Sequence, residues 1–415
     1  MKVKQALQKG RDAFVALIRR RDPAEYFIVL MLLSLSVFFL RCVIAGSDAF
    51  IGVFFLNGEV LFMDFLNSLR DVSHGVGVYT ERHVIYPPLA NAFLFLISRF
   101  IPEKYLATSG EEKFTWNEHP ETSLAILFFF VLCITVLCLL IGRESISPRK
   151  RTLLTFLTIA SFPFLTLMER GNVVIVCILA LLVYLQNYNS ESRVAREIAL
   201  LMLALAAAFK LYPALFGLIL LYDRRYKDAL RAALYTVLLL LIPSFCFGGP
   251  ICLWWVVENT LSYSGYASQN VSGFLATLHL PTWIGTAALF SGYALAVAVA
   301  SLSAFLQQKP WKVWVFVCTI LMSVASIFSS YNWLLILPAV LYFMRTEKLE
   351  GVNWLYFILM TAPFYYYFPK EWQGNFFVTL IVCLYLLCVG EAVLLFRSFF
   401  RAKKERKAAG AAPQD

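Results

Sequence analysis

Four places in this sequence put charge or hydrogen-bonding capacity where apolar residues dominate. Asp64 stands among Phe62, Met63, Phe65 and Leu66. Glu169-Arg170-Gly171-Asn172 makes a very tight polar turn between two apolar runs. Lys210-Leu211-Tyr212-Pro213 interrupts the apolar run Ile198–Tyr222. The run Asn259–Ser272, with Ser262, Tyr263 and Tyr266, is polar. A carboxylate in an apolar setting is a stronger base than one in water. Arg and Lys hold phosphate oxygens through charge-assisted hydrogen bonds. The set therefore suits a general base acting on a substrate with an anionic headgroup. Each residue also has a plainer reading. Arg170 can pair with Glu169 or reach the interface from a helix end. Lys210 can donate to carbonyls at a helix break, and Tyr263 and Tyr266 can be interfacial aromatics. It is their joint occurrence that favours a site.

The stretch Leu61–Leu89 holds the first of these residues. After Asp64 come a glycine-bearing turn (Gly75, Gly77, Tyr79) and then Tyr86-Pro87-Pro88-Leu89. The two prolines cannot donate backbone hydrogen bonds and bias Tyr86 towards an extended conformation. They also suit the first turn of the apolar helix that follows.

The elements that must position these residues are membrane helices. The chain has 415 residues, of which 60% are hydrophobic and 15% charged, with a mean hydropathy of +0.71. A water-soluble domain carries roughly a quarter charged residues. Apolar runs long enough to cross a bilayer recur throughout. The fold class is all-α, a polytopic integral membrane protein. The net charge of +10 gathers at the membrane edges and gives no case for nucleic acid. Most of the nine cysteines lie inside apolar runs and none forms a CxxC pair, so no metal site or disulfide framework is expected.

Charge sets the expected topology. Residues 1–24 read as a basic amphipathic helix on the cytoplasmic surface. It is too charged for a signal peptide. The span of about 25–45 then leaves the cytoplasm. The first outer segment, 46–121, holds ten acidic and five basic residues, opposite in sign to the N-terminal tail. Within it the apolar stretch 87–102 is short for a crossing, and every later loop falls on the side its charge favours if this stretch only lies in the interface. Spans follow at about 122–142, 152–168 and 171–188. Two short helices in 198–222 follow, with Lys210 at the outer apex, and then a span at 229–247. A second outer segment covers 248–280. Five further spans are expected at about 281–305, 311–328, 333–344, 352–368 and 374–396, and residues 398–415 form a basic cytoplasmic tail. This gives about twelve spans with both termini inside. The catalytic module is expected in 25–280, with generic C-terminal helices in 281–397.

The ordered set of motifs resembles a known family. It runs from Asp64 in Met63-Asp64-Phe65 through Gly75-Val76-Gly77-Val78-Tyr79 and Tyr86-Pro87-Pro88-Leu89. Arg170-Gly171-Asn172, the Lys210–Pro213 break before Arg224-Arg225 and the Ser/Asn-rich outer loop follow. This order is similar to the GT-C glycosyltransferases. Within them it is closest to the bacterial polyprenol-phosphate-mannose-dependent mannosyltransferases, over about Asp48–Leu280. The resemblance implies a multi-span GT-C fold in a bacterial plasma membrane, with the active site on the outer face. It implies a polyprenyl-phosphate sugar donor, a lipid-linked or cell-envelope glycan acceptor, inversion, and no cofactor or metal. It places the catalytic carboxylate in the first outer loop, where Asp64 matches. Asp48, at the end of the first span, is the alternative, because about eighteen residues separate that span from Asp64. The sequence after Asp64 favours it over Asp48. The other expected substrate-binding residues are Tyr86, Pro87, Glu169, Arg170, Asn172, Lys210, Tyr212, Asn259, Ser262 and Tyr263.

In such a reaction the leaving lipid phosphate gains negative charge in the transition state, and cations held there stabilise that state more than the ground state. Arg170 and Lys210 are the candidates. A transporter or lipid-linked glycan flippase is the rival reading; it predicts a midplane site between repeats. A membrane acyltransferase would need a catalytic histidine in a membrane-facing motif, a setting that His74, His83, His119 and His279 lack.

Overall fold

The structure is a computed structural model that describes residues 22–54, 61–101, 120–263, 309–324 and 329–409. The expected amphipathic N-terminal helix, the expected span 281–305, most of the polar run after Asn259 and the last residues of the tail lie outside these. The described residues are helical and contain no strand. α1 (Pro23–Ala45), α2 (Ser47–Ile51), α3 (Met63–Val72), α4 (Gly77–Thr80) and α5 (Pro88–Ser98) come first. α6 (Pro120–Gly142), α7 (Pro148–Ile159), α8 (Phe162–Arg170), α9 (Val174–Asn187) and α10 (Arg193–Phe209) follow. A 3-10 turn (Tyr212–Gly217) leads to α11 (Leu218–Tyr222), α12 (Tyr226–Ser244) and α13 (Ile251–Tyr263). The remainder is α14 (Pro310–Val324), a second 3-10 segment (Ser330–Ile336), α15 (Leu337–Thr346), α16 (Asn353–Thr361) and α17 (Gln373–Ala409).

The long helices show why the chain needs a lipid solvent. α1 starts where the Asp22 side chain accepts from Ala24 N and Glu25 N, with Pro23 at its first position, and it stops at Gly46 in a positive-φ conformation. Its 23 residues span about 35 Å, more than the hydrocarbon core. Leu33, Phe39 and Ile44 on α1, and Leu124 and Phe128 on α6, are exposed although large and apolar. That pattern is stable facing acyl chains rather than water. The protein is a membrane protein.

Among the described residues, four helices can cross a bilayer by length and composition: Pro23–Ala45, Ser123–Gly142, Tyr226–Phe247 and Lys370–Ser398. α7 and α8, bent by 45°, make a fifth if counted as one span. Several segments expected as full spans are shorter or broken. The expected span 333–344 is a 3-10 segment followed by the ten-residue α15. The expected span 352–368 is the nine-residue α16 followed by another 3-10 turn at Ala362–Tyr365. Pro338 and Pro363 sit at the junctions, where each lacks the N–H that a continuous helix would need. The stretch 87–102 forms only the 11-residue α5, about 16 Å long and half a bilayer.

The core sits around α9. Val174, Ile175, Cys177, Ile178, Ala180, Leu181, Leu182 and Tyr184 are all buried, so this short helix is covered on every side. It packs against α10, and α10 packs against α12. Ala199, Ala204, Ala206, Ala207 and Ala208 on α10 are buried; small side chains let helix axes approach closely in a membrane bundle.

Contacts sort the helix ends into two layers. At one end Lys150 pairs with Asp22 and Glu25, Arg345 with Glu144 and Lys309 with Glu347. At the other, the Arg41 guanidinium donates to Tyr367 O, Lys370 N to Gly52 O and Gln373 Nε2 to Val53 O. Asp64, Glu169, Arg170, Asn172, Lys210 and Asn259 lie in this second layer.

Candidate active site

Asp64 reaches its partners because α3 is fastened to the turn between α8 and α9. α8 ends at Gly171, which adopts the left-handed conformation with φ 65°. A Cβ there would lie 3.0 Å from Phe62 Cα, so glycine meets both the backbone requirement and the close approach. Phe62 is itself left-handed with φ 60°. Its N–H donates to Glu169 O at 2.7 Å, and its ring stacks on Phe130. Two residues further on, in the first turn of α3, stands Asp64.

The carboxylate is gripped on both oxygens. Arg170 Nη2 lies 2.5 Å from Oδ1, and Asn172 Nδ2 donates to Oδ2 at 2.9 Å. The same amide group reaches Tyr331 Oη at 2.9 Å and Tyr86 Oη at 3.2 Å, so its two N–H bonds are shared among three acceptors. Asn172 Oδ1 accepts from Val174 N at 3.0 Å. This fixes the amide at the start of α9. Asn172 is buried, whereas Asp64 and Arg170 each keep 19% of their side-chain exposure. One edge of the pair thus stays accessible.

Lys210 stands beside this group. α10 ends at Phe209, and Lys210 turns extended with φ −147° and ψ 128° before the 3-10 turn begins. Its Nζ lies 5.2 Å from the Tyr86 ring centroid and 5.9 Å from that of Tyr212, a cation–π setting. It has no carboxylate partner among the described residues. Tyr212 Oη in turn bonds to Asn332 Oδ1 at 3.3 Å. Burial, reinforced by the Asp64 carboxylate, pushes the Tyr86 phenol above the ordinary tyrosine range, so it stays protonated and neutral.

The backbone carrying Tyr86 is held from two sides. Tyr79 Oη and Asn91 Nδ2 both donate to Tyr86 O, at 3.1 and 3.3 Å. Asn259 on α13 is buried and donates to Tyr79 O and Val84 O, each at 3.1 Å. Pro87 caps α5 and is buried.

The structure therefore brings Asp64, Tyr86, Arg170, Asn172, Lys210 and Tyr212 together. It places Asn259 and Pro87 one step away, holding the loop. Glu169 is buried and its carbonyl anchors Phe62. Ser262 is exposed on α13. Tyr263 ends that helix. Asp48 is exposed on α2, with no side-chain hydrogen bond or ion pair among the described residues. Arg170, expected beside a phosphate, is paired with Asp64. Among the described residues no three His, Cys, Asp or Glu side chains converge to hold a metal ion.

Two members of the cluster lie in the C-terminal part that the sequence reading treats as generic. Tyr331 and Asn332 belong to the 3-10 segment packed against α8. The signal was the polar quartet Ser329-Ser330-Tyr331-Asn332 between apolar runs. Its resemblance to an ordinary loop hid it.

An all-helical membrane bundle that gathers an ion-paired carboxylate, a cation without a carboxylate partner and hydrogen-bonding tyrosines at helix ends fits a membrane glycosyltransferase. The sequence comparison agrees: the profile of glycosyltransferase family 87 matches residues 85–338, more than half of the chain. The chain belongs to glycosyltransferase family 87, a family of GT-C type as the motif order implied. The matched region contains Tyr86, Arg170, Asn172, Lys210, Tyr212, Tyr331 and Asn332, and begins after Asp48 and Asp64. No curated protein and no solved structure matches the chain.

Proposed function

We propose that this glycosyltransferase moves a hexosyl or pentosyl unit, mannosyl by the motif resemblance, from a polyprenyl-phosphate sugar to a lipid-linked or cell-envelope glycan. The observation that carries this reading is the junction of Asp64, held by Arg170 and Asn172, with Lys210 lying on the face of Tyr86. The acceptor hydroxyl gives its proton to Asp64 as its oxygen bonds to the anomeric carbon from the side opposite the phosphate. The carbon–phosphate-oxygen bond breaks, its electron pair leaves with the phosphate, and the anomeric configuration inverts. A carboxylate offers about four lone-pair sites; Arg170 and Asn172 use two, which leaves room for a hydroxyl. Lys210 meets the growing charge on the phosphate, and Arg170 orients the base. No metal or cofactor enters this scheme.

The topology that goes with it has about twelve membrane passes, the short helices and 3-10 turns completing those that the long helices do not make. Arg143, Arg149, Lys150, Arg151, Arg193, Arg224 and Arg225 lie near the layer opposite Asp64. By the positive-inside rule that layer is cytoplasmic, with both termini, and the site faces outward from a bacterial plasma membrane. A transporter would place its marked charges at the midplane between repeats; these gather at helix ends, which supports transfer.

Asp64→Asn tests the mechanism. The amide keeps the shape but cannot take a proton at neutral pH. Transfer from a polyprenyl-phosphate sugar should fall about 10²–10⁴-fold while donor binding persists. Asp48→Asn should stay close to wild type. An active Asp64→Asn beside an inactive Asp48→Asn would move the base to α2; full activity in both would end the general-base mechanism.

A further inference from the structure

Two neighbouring residues of the second 3-10 segment reach two different arms of the site. Tyr331 Oη lies 2.9 Å from Asn172 Nδ2, the amide that holds Asp64 Oδ2 at 2.9 Å. Asn332 Oδ1 accepts from Tyr212 Oη at 3.3 Å, and the Tyr212 ring is one of the two that flank Lys210. Successive side chains of a 3-10 helix diverge by about 120°. One short backbone therefore serves the carboxylate on one side and the cation on the other. That backbone is firmly seated. Ser330, Tyr331 and Asn332 are buried, and so are Trp333, Leu334, Leu335 and Ile336 behind them. The segment packs against α8, α9 and α14.

The two contacts act on different groups. The Asn172 amide has two N–H bonds and three oxygens within reach. Asp64 Oδ2 and Tyr331 Oη are at 2.9 Å, Tyr86 Oη at 3.2 Å. Tyr331 takes the second N–H at the shorter distance, and Asn172 Oδ1 is already tied to Val174 N. The amide plane is thus set from both ends, with its first N–H aimed at the carboxylate. Without the Tyr331 hydroxyl only Tyr86 remains for the second N–H, and the amide turns toward it and away from Asp64. A carboxylate that loses a donor holds its proton more tightly. On the other arm, Tyr212 follows the helix break at Lys210 and opens the first 3-10 turn. Its bond to Asn332 fixes the ring beside the ammonium. Losing that bond loosens the cation and leaves the Asp64 contacts in place.

We propose that Tyr331 and Asn332 are positioning residues, Tyr331 for the Asp64 base through Asn172 and Asn332 for the Lys210 cation through Tyr212. The proposal rests on the transfer mechanism above. It is tested on the full-length protein by steady-state transfer from polyprenyl-phosphate mannose across pH, with native membranes supplying the acceptor. Tyr331→Phe and Tyr212→Phe each keep the ring and delete one hydroxyl, so both should fold. Tyr331→Phe should lower kcat about two- to tenfold, the worth of one hydrogen bond. Its donor KM should hold, and the acid limb of its pH profile should move to higher pH. Tyr212→Phe should raise donor KM by a similar factor and leave the acid limb where it is. Asn332→Ala should match Tyr212→Phe, and the two combined should be no worse than either alone. The same changes in kcat and KM for both tyrosine variants, with no move of the acid limb, would reduce the segment to scaffolding and overturn the proposal. Asp64→Asn, run alongside, separates two further failures. If it is inactive while both tyrosine variants behave as wild type, this proposal alone falls. If it is fully active, the general-base mechanism falls and takes the proposal with it.

Discussion

Lys210 and Lys312 occupy similar surroundings and end differently. Both ammonium groups lie over aromatic rings: Lys210 over Tyr86 and Tyr212, Lys312 at 5.1 Å from the Tyr356 centroid and 5.5 Å from that of Trp311. Lys312 then closes on Glu391, with both carboxylate oxygens at 2.6–2.7 Å. Tyr356 Oη donates to the same carboxylate at 2.9 Å. That ion pair ties α14 to α17, and its charges cancel. Lys210 carries no such carboxylate among the described residues, yet the chain breaks a helix to present it. A lysine that is left uncompensated in a membrane protein destabilises it unless a ligand supplies the anion. The same residue type in the same aromatic setting is thus structural in one place and, by the proposal above, functional in the other.

The sharpest way to break this comparison is to treat both lysines alike. Lys312→Met leaves Glu391 without its cation. It should lower stability by about 3 kcal/mol, the low end for breaking such a pair, because the pair is partly exposed. Lys312→Met with Glu391→Leu should recover most of that loss, measured as the thermal unfolding midpoint of the purified protein. Specific activity of the folded fraction should not change in either. Lys210→Met should do the reverse. Its unfolding midpoint should hold or rise, while transfer falls ten- to a hundredfold, about 1.5–3 kcal/mol, through the lost contact to a phosphate. A drop in midpoint with unchanged turnover would make Lys210 structural as well. Tyr86→Leu sharpens the comparison with the smallest effect. It removes the ring under Lys210, worth about 0.5–2 kcal/mol, and should raise KM for the donor several-fold. An unchanged KM would show that the ring does not position the cation.

Much of this was legible in the chain. Pro87-Pro88 announced the start of α5, and Lys210–Pro213 announced the break after α10. In both cases a proline fixes local backbone geometry regardless of what packs around it. Glu169–Asn172 announced its turn because Gly171 can adopt the left-handed conformation that ends α8. The count of full spans was harder to read. An apolar run looks the same whether one helix crosses or two short helices meet inside the bundle, as at Pro338 and Pro363. Tyr331 and Asn332 were missed because hydrogen bonds to Asn172 and Tyr212 join residues more than a hundred positions apart.

The sequence by itself determined the solvent, the helical class and the residue types available for chemistry. Each of these follows from composition or local backbone preference. The partner of Arg170 was a tertiary decision. Adjacent Glu169 was the nearest carboxylate in the chain, but the close contact between Phe62 and Gly171 swings Asp64 into place from 106 residues away. The role of Asn259 was decided in the same way: it holds the loop before Tyr86, because α13 packs against α4. Side-chain chemistry is written in residue type, but which groups meet depends on packing between segments that no local pattern encodes.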